Sequence, residues 1–154
     1  MTKQSSGQDK RTHATAEPLA PETNIDLVQH VAELWIQLRE FTRATERAAR
    51  KNRLTPQRYL LLLMIRQAAT DGHGVATVSH VTKQLQLAQS SVTELIARAE
   101  AVGLVGRSDS PVDGRQTEIR LTEEGERRLQ ATISDLGVER RQFAALVAEL
   151  KDSI

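Results

Sequence analysis

A mainly α-helical fold with one small β-hairpin is predicted by three features of this 154-residue chain. Residues 77 to 102 read as two short amphipathic helices around a tight turn, with apolar residues every three or four positions. A Gly103-Leu104 stop follows, and then a polar loop carrying Asp113-Gly114-Arg115 lies between two short strand-like segments. Aromatic residues make up only 3% and hydrophobic residues 39% of the chain, so the core must be built from Leu, Val, Ile and Ala. That composition favours helices over a β-sandwich. Helix, turn, helix and hairpin together are the plan of a winged helix-turn-helix, whose second helix docks in the major groove of duplex DNA.

Residues 1 to 23 are polar, with Leu19 and a few Ala as apolar content, and are expected to form a disordered tail. A single domain is expected over 24–154. Its first helix starts near Asn24, a good N-cap, and runs to about Arg50. Leu27, Val28, Val31, Leu34, Trp35, Leu38 and Phe41 form one stripe along it. At 1.5 Å per residue this helix is about 40 Å long, more than a small domain needs, so its N-terminal part should find a partner outside.

Thr55-Pro56 opens the second helix, with Thr55 as cap and Pro56 at the first helical position. The run from Tyr59 to Ile65 is apolar almost all round and marks the buried centre. After the loop 70–74, Thr77 caps a third helix with Val81 and Leu85 inward. A turn at Gln86-Leu87 leads to a fourth over 89–102, with Val92, Leu95, Ile96, Ala99 and Val102 inward and Gly103 as C-cap. Leu104-Val105 opens one strand, and 118–121 alternates as the return strand. Thr122-Glu123-Glu124-Gly125 starts a fifth helix with acids in its first turn, where the helix dipole favours them. Gly137 marks a break before a last helix carrying Phe143, Leu146, Val147 and Leu150.

Other chemistry finds little support. There are no cysteines, which removes disulfides, thiolate metal sites and thiol oxidation as a signal. His13, His30, His73 and His80 fall on different elements without ligand spacing, so no metal and no cofactor are expected. His80 is expected to face solvent. The glycines are scattered rather than gathered into a phosphate loop, and Ser90-Ser91 has no nearby His–acid pair, so no catalytic residue is assigned. The longest apolar run is too short to span a bilayer, and the polar N-terminus lacks an apolar signal core, so a cytoplasmic protein is expected.

The polar face of the fourth helix carries Gln89, Ser90, Ser91, Thr93, Glu94 and Arg98. Gln suits adenine, Arg guanine, Ser and Thr either base, and Glu94 accepts from cytosine or disfavours other sequences. The same residues also fit an ordinary solvated face, and it is the wing that tips the balance. A net charge of +1 does not announce a nucleic-acid binder, so charge placement matters. Arg43, Arg47, Arg50, Lys51, Arg53 and Arg58 fall within sixteen residues, opposed there by Glu46. They suit phosphate contacts or, equally, a solvated helix end that complements the dipole.

The segments LTPQRYLLLLMI, TVSHVTKQLQLAQSSVTELIARAEAVGLVGR, DGRQ and LTEEG, in that order, resemble the MarR (multiple antibiotic resistance regulator) family over residues 25 to 152. Thr77, Val78, Ser79, Leu85, Leu87, Ser90, Val92, Thr93, Ile96, Gly103, Leu104, Val105, Arg107, Asp113, Arg115, Leu121, Thr122 and Gly125 stand in matching places. Val81-Thr82 and Ala99 depart from the pattern. Ala88 stands where a Ser usually caps the recognition helix; either that helix starts later, at Gln89 or Ser90, or its first turn is less rigid.

The resemblance implies a homodimeric transcriptional regulator, more often a repressor. Its dimerisation helices would be 24–53 and 126–154, and its DNA-binding part 54–125. It also implies a pseudo-palindromic double-stranded operator read by the fourth helix, with Lys83 and Arg107 beside it and Arg115 in the minor groove. Asp113 would orient Arg115 or simply serve the turn. Arg50, Lys51 and Arg53 would add phosphate contacts. A small amphipathic or anionic effector is implied between the dimer helices and the winged part, where Trp35, Arg39, Tyr59 and Leu63 stand by position, although Trp35, Tyr59 and Leu63 equally fit plain core. The competing class is a winged-helix module that binds protein, left open by a wing whose Arg107, Arg115 and Arg120 are balanced by Asp109, Asp113 and Glu118.

Overall fold

A computed structural model describes residues 25–71 and 74–153; the N-terminal tail, Asn24 and His73 lie outside the described residues. Six helices and three strands follow one another: α1 (Ile25–Lys51), α2 (Pro56–Thr70), β1 (Ala76–Thr77), α3 (Val78–Leu85), α4 (Gln89–Ala101), β2 (Val105–Asp109), β3 (Thr117–Leu121), α5 (Glu123–Asp135) and α6 (Gly137–Ser153).

The expected caps set the boundaries. The Thr55 hydroxyl accepts from the Arg58 N–H, the Thr77 hydroxyl from His80 and the Thr122 hydroxyl from Gly125, each satisfying an orphan donor of a first turn. Two helices end on left-handed residues that are not glycine, Arg53 (φ 56°) and Gln86 (φ 53°). There L side chains are costlier than Gly. Gly103 (φ 73°) ends α4 without that cost.

The sheet is antiparallel in the order β1-β3-β2. Its long pair runs from Val105 opposite Leu121 to Asp109 opposite Thr117, and Ala76-Thr77 adds a two-residue edge opposite Ile119 and Glu118. The short edge strand was not legible in the sequence, because two residues carry no alternation. Leu61 and Leu62 of α2 are wholly buried with Val81, Ile96, Leu104 and Leu129, so α2 is the centre that the other elements cover.

The Thr-Glu-Glu-Gly start of α5 is a lock on the sheet. Thr122 donates its backbone N–H to Leu104 (3.1 Å) and its hydroxyl to the Gly103 carbonyl (2.6 Å). Gly125 lies so close to this corner that a Cβ there would overlap the Leu104 carbonyl. A glycine is required by the approach of helix to strand.

Three expectations need correction. Val102 does not face inward; it is 46% exposed, because α4 stops at Ala101 and the chain turns away at Gly103. His80 is half-buried rather than solvent-facing, since α3 turns this residue toward the rest of the fold. α4 does not start late: Ala88 is its N-cap, with no side-chain bond, and its carbonyl accepts from Val92.

α1 and α6 lie against each other through Phe41 and Phe143, stacked 5.2 Å apart at 13°. Apart from the half-buried Leu34, the rest of the apolar stripe of α1 is open. Leu27, Val28, Val31, Trp35 and Leu38 are exposed, as is Val147 of α6.

Candidate nucleic-acid interface

α4 buries Val92, Ile96 and Ala99 and half-buries Leu95, which turns Gln89, Ser90, Ser91, Thr93, Glu94 and Arg98 to solvent. All six sequence-predicted residues therefore share one exposed surface. Ser90, Glu94, Ala97 and Ala101 follow at spacings of four, three and four and form its outermost strip.

On one flank, Gln89 and Thr93 line an open notch of about 270 Å³ with Arg115 of the wing and Thr77, Val78 and Ser79 at the start of α3. The wing tip is braced by its own hydrogen bonds. The Ser110 hydroxyl accepts from the N–H groups of Val112 and Asp113, the Ser110 N–H donates to the Gln116 carbonyl, and the Asp113 carboxylate accepts from the Arg115 N–H (3.1 Å). Asp113 thus orders the backbone of Arg115, the Asx-type turn that its Asp-Gly sequence suits. Val112 projects from this tip 95% exposed.

On the other flank, α4 faces the N-terminus of α2 across an open groove of about 330 Å³, lined by Thr55, Gln57, Arg58, Ser91, Leu95 and Arg98 among others. The sequence placed Arg58 in a basic cluster without showing that it lies beside α4. The Thr-Pro cap fixed where α2 begins; only the packing of α2 on α4 brings the two together.

The remaining basic residues divide. Lys83 is exposed on α3. Arg107 is held back onto the Glu100 carboxylate at the end of α4 (Nε to Oε2 2.7 Å), and Arg120 onto the buried Glu118 (2.9 Å). Arg98 pairs with Glu94 on α4 itself. In the cluster, Arg50 stands 3.9 Å from Glu46 and Lys51 2.9 Å from Asp135 of α5. The Arg53 carbonyl accepts from Arg128, which also holds Glu124. Asn52 donates to Asp135 as well, and the hydrogen bonds from Lys51 and Asn52 hold its carboxyl below the usual range. The hydrogen bonds from Arg127 and Arg128 lower Glu124 to about 2. The Lys51 ammonium and the Arg53 backbone carbonyl therefore anchor the α1–α2 turn to α5.

The four effector candidates do not share one environment. Trp35 (61% exposed) and Arg39 stand on the open surface of α1, whereas Tyr59 is buried and Leu63 half-buried against the core. Burial raises the Tyr59 phenol above its usual value, offset by the charge of Arg140. Among the described residues, no cluster of three His, Asp or Glu is arranged to hold a metal, and no helix is long and apolar enough to cross a membrane.

Residues 54–116, from the start of α2 through the wing tip, match the model of the MarR family. The chain is 33% identical over 92 residues to the organic hydroperoxide resistance transcriptional regulator of Bacillus subtilis, covering 60% of this chain and 59% of that one. It is 29% identical over 85 residues to the transcriptional repressor IacR of Pseudomonas putida, covering 55% and 48%. The chain thus spans about half the length of the curated relatives it matches. Its fold is that of a mutant MarR from E. coli complexed with operator DNA, with a TM-score of 0.63 and 19% identity over 84% of this chain and 94% of that one.

Proposed function

We propose that this chain is a member of the MarR family and, on that premise, a homodimeric, sequence-specific DNA-binding regulator of transcription, acting as a repressor in the cytoplasm and catalysing no reaction. The observation that carries this reading is the shared surface of α4 and the wing: six polar positions point outward, and Arg115 stands on a braced tip beside them. The operator complex of the structural neighbour and the repressor role of the relative from P. putida support the same reading.

In this account residues 54–125 contact DNA and the helices 24–53 and 126–154 dimerise. The exposed stripe of α1 and Val147 of α6 supply the apolar surface that a second copy would cover. Two copies of α4 would then enter successive major grooves of a pseudo-palindrome, about one helical turn apart. Gln89, Ser90, Ser91, Thr93, Glu94 and Arg98 meet bases, Arg115 the minor groove, and Lys83, Arg107 and Arg58 the backbone. A small amphipathic or anionic effector would enter between dimer helices and winged part, where Trp35 and Arg39 are accessible; Tyr59 and Leu63 serve the core. No thiol of this chain is available to sense an oxidant.

Titration of genomic fragments at several salt concentrations tests the reading. Nanomolar, salt-sensitive binding to particular fragments is expected. Arg58→Ala should flatten the salt slope, by about one unit if its phosphate contact is lost, whereas replacing Lys51 should act mainly on stability. A second reading, a protein-binding winged helix, draws on the pairing of Arg98, Arg107 and Arg120 with glutamates, which dampens the positive potential of the surface. Weak, uniform binding to every fragment would favour it.

A further inference from the structure

We propose that Glu94 and Arg98 act as one reading head that selects a C·G base pair, an inference that rests on the DNA-reading function above. The outer strip of α4 is sparsely armed: Ser90, Ala97 and Ala101 are too short to reach far beyond the helix. Gln89 and Thr93 belong to the notch beside Arg115. Glu94, in the middle of the strip, is therefore the central side chain with reach. Arg98, one turn on, binds one of its carboxylate oxygens. Both side chains remain open, at 62% and 67% exposure.

A carboxylate in the major groove is flanked by phosphates that repel it, and most base edges repel it too. Guanine presents N7 and O6 acceptors, thymine the O4 acceptor, and adenine an N7 acceptor beside its amino group. Cytosine alone offers an amino donor with no acceptor of its own in the groove. Beside that amino group, the paired guanine offers O6. The free oxygen of Glu94 would accept from cytosine N4, and the N–H groups of Arg98 left over from the ion pair would donate to guanine O6. Acceptor and donor on the helix match donor and acceptor on the pair. The ion pair also keeps Glu94 extended along the helix surface before DNA arrives, so little rearrangement is required.

Selection of random duplexes by the full chain, followed by titration of matched probes, tests this. Wild type should enrich a C·G pair at a fixed place in each half-site and lose about tenfold in affinity when that pair becomes T·A, within the usual range for one mismatch. Glu94→Ala should abolish the preference at that pair while leaving the rest of the motif. Glu94→Gln should move it toward A·T, because an amide matches adenine N6 and N7. Arg98→Ala should weaken both the preference and overall affinity. All three changes sit on an exposed helix face, and thermal melting would verify the fold. A motif without C·G at that place overturns the inference, as does Glu94→Ala tightening all probes equally with the motif unchanged. A wild-type chain that enriches no sequence instead removes the DNA-reading premise.

Discussion

The winged-helix part and the α1–α6 pair treat their apolar residues in opposite ways. Between Leu54 and Leu129 most large apolar side chains pack into one core around α2, and Leu61, Leu62, Val81, Ile96 and Leu104 lose essentially all contact with water. Along α1, the same kinds of side chain stand open from Ile25 to Leu38, with Phe41 on Phe143 as the first aromatic contact that closes. One part closes its core within a single chain; the other leaves an apolar face uncovered. The difference shows that periodicity alone says which face of a helix is apolar, and only packing says whether this chain or another covers it.

The sharpest way to separate the two parts is at Gly125. Gly125→Ala would drive a methyl into the Leu104 carbonyl where α5 crosses the sheet corner, and about 3 kcal/mol of destabilisation is expected from such overpacking. Thermal or urea unfolding would measure it, and a near-neutral result would show that α5 is not locked to the sheet. On the open face the opposite outcome is expected. Val31→Glu with Trp35→Glu should leave the unfolding of the winged part nearly unchanged. It should also separate the dimer and lower operator affinity by about a hundredfold, as linked binding is lost. Size-exclusion chromatography and a gel shift read both effects.

Smaller changes sharpen the comparison inside the complete part. Ala88 caps α4 without a side-chain bond, so Ala88→Ser should stabilise the protein by about 1 kcal/mol. Arg53→Gly should gain up to about 1 kcal/mol by relieving a left-handed residue. Loss of stability in the first case would mean that Ala88 packs in a way its cap geometry does not suggest.

The smallest effect concerns acid. Asp135 joins α5 to Lys51 and Asn52 at the α1–α2 turn, whose hydrogen bonds hold its carboxyl low, while Glu124 is held low within α5 by hydrogen bonds from Arg127 and Arg128. Their contribution is fully present above the ordinary carboxylate range and is lost as pH falls from about 4.5 toward about 2. Because these groups are solvent-exposed the effect should be modest. Glu124→Gln should flatten the stability profile in that window and leave it unchanged near neutrality.

Much of this architecture was legible in the sequence because local chemistry dictates it. The caps Thr55, Thr77 and Thr122, the Gly103 stop and the Asp113-Gly114 turn act within a few residues. What escaped depended on distance along the chain. The strand Ala76-Thr77 exists only because Ile119 and Glu118 pair with it. Lys51 is answered by Asp135, 84 residues away. Arg58 reaches the polar face of α4 only through the packing of α2 beside it. The polar face of α4 was visible from its spacing, but not the return of β2 that sets Arg107 on the Glu100 carboxylate.

The central claim is that a second copy covers the open faces of α1 and α6 and so sets two recognition helices on one operator. Sedimentation of the full chain, alone and on a duplex carrying one enriched site, tests it most directly. Two chains are expected in the free particle and two on each duplex, with Val31→Glu and Trp35→Glu reducing both to one. A single folded chain in solution that binds the site as a single copy with undiminished affinity would contradict the account.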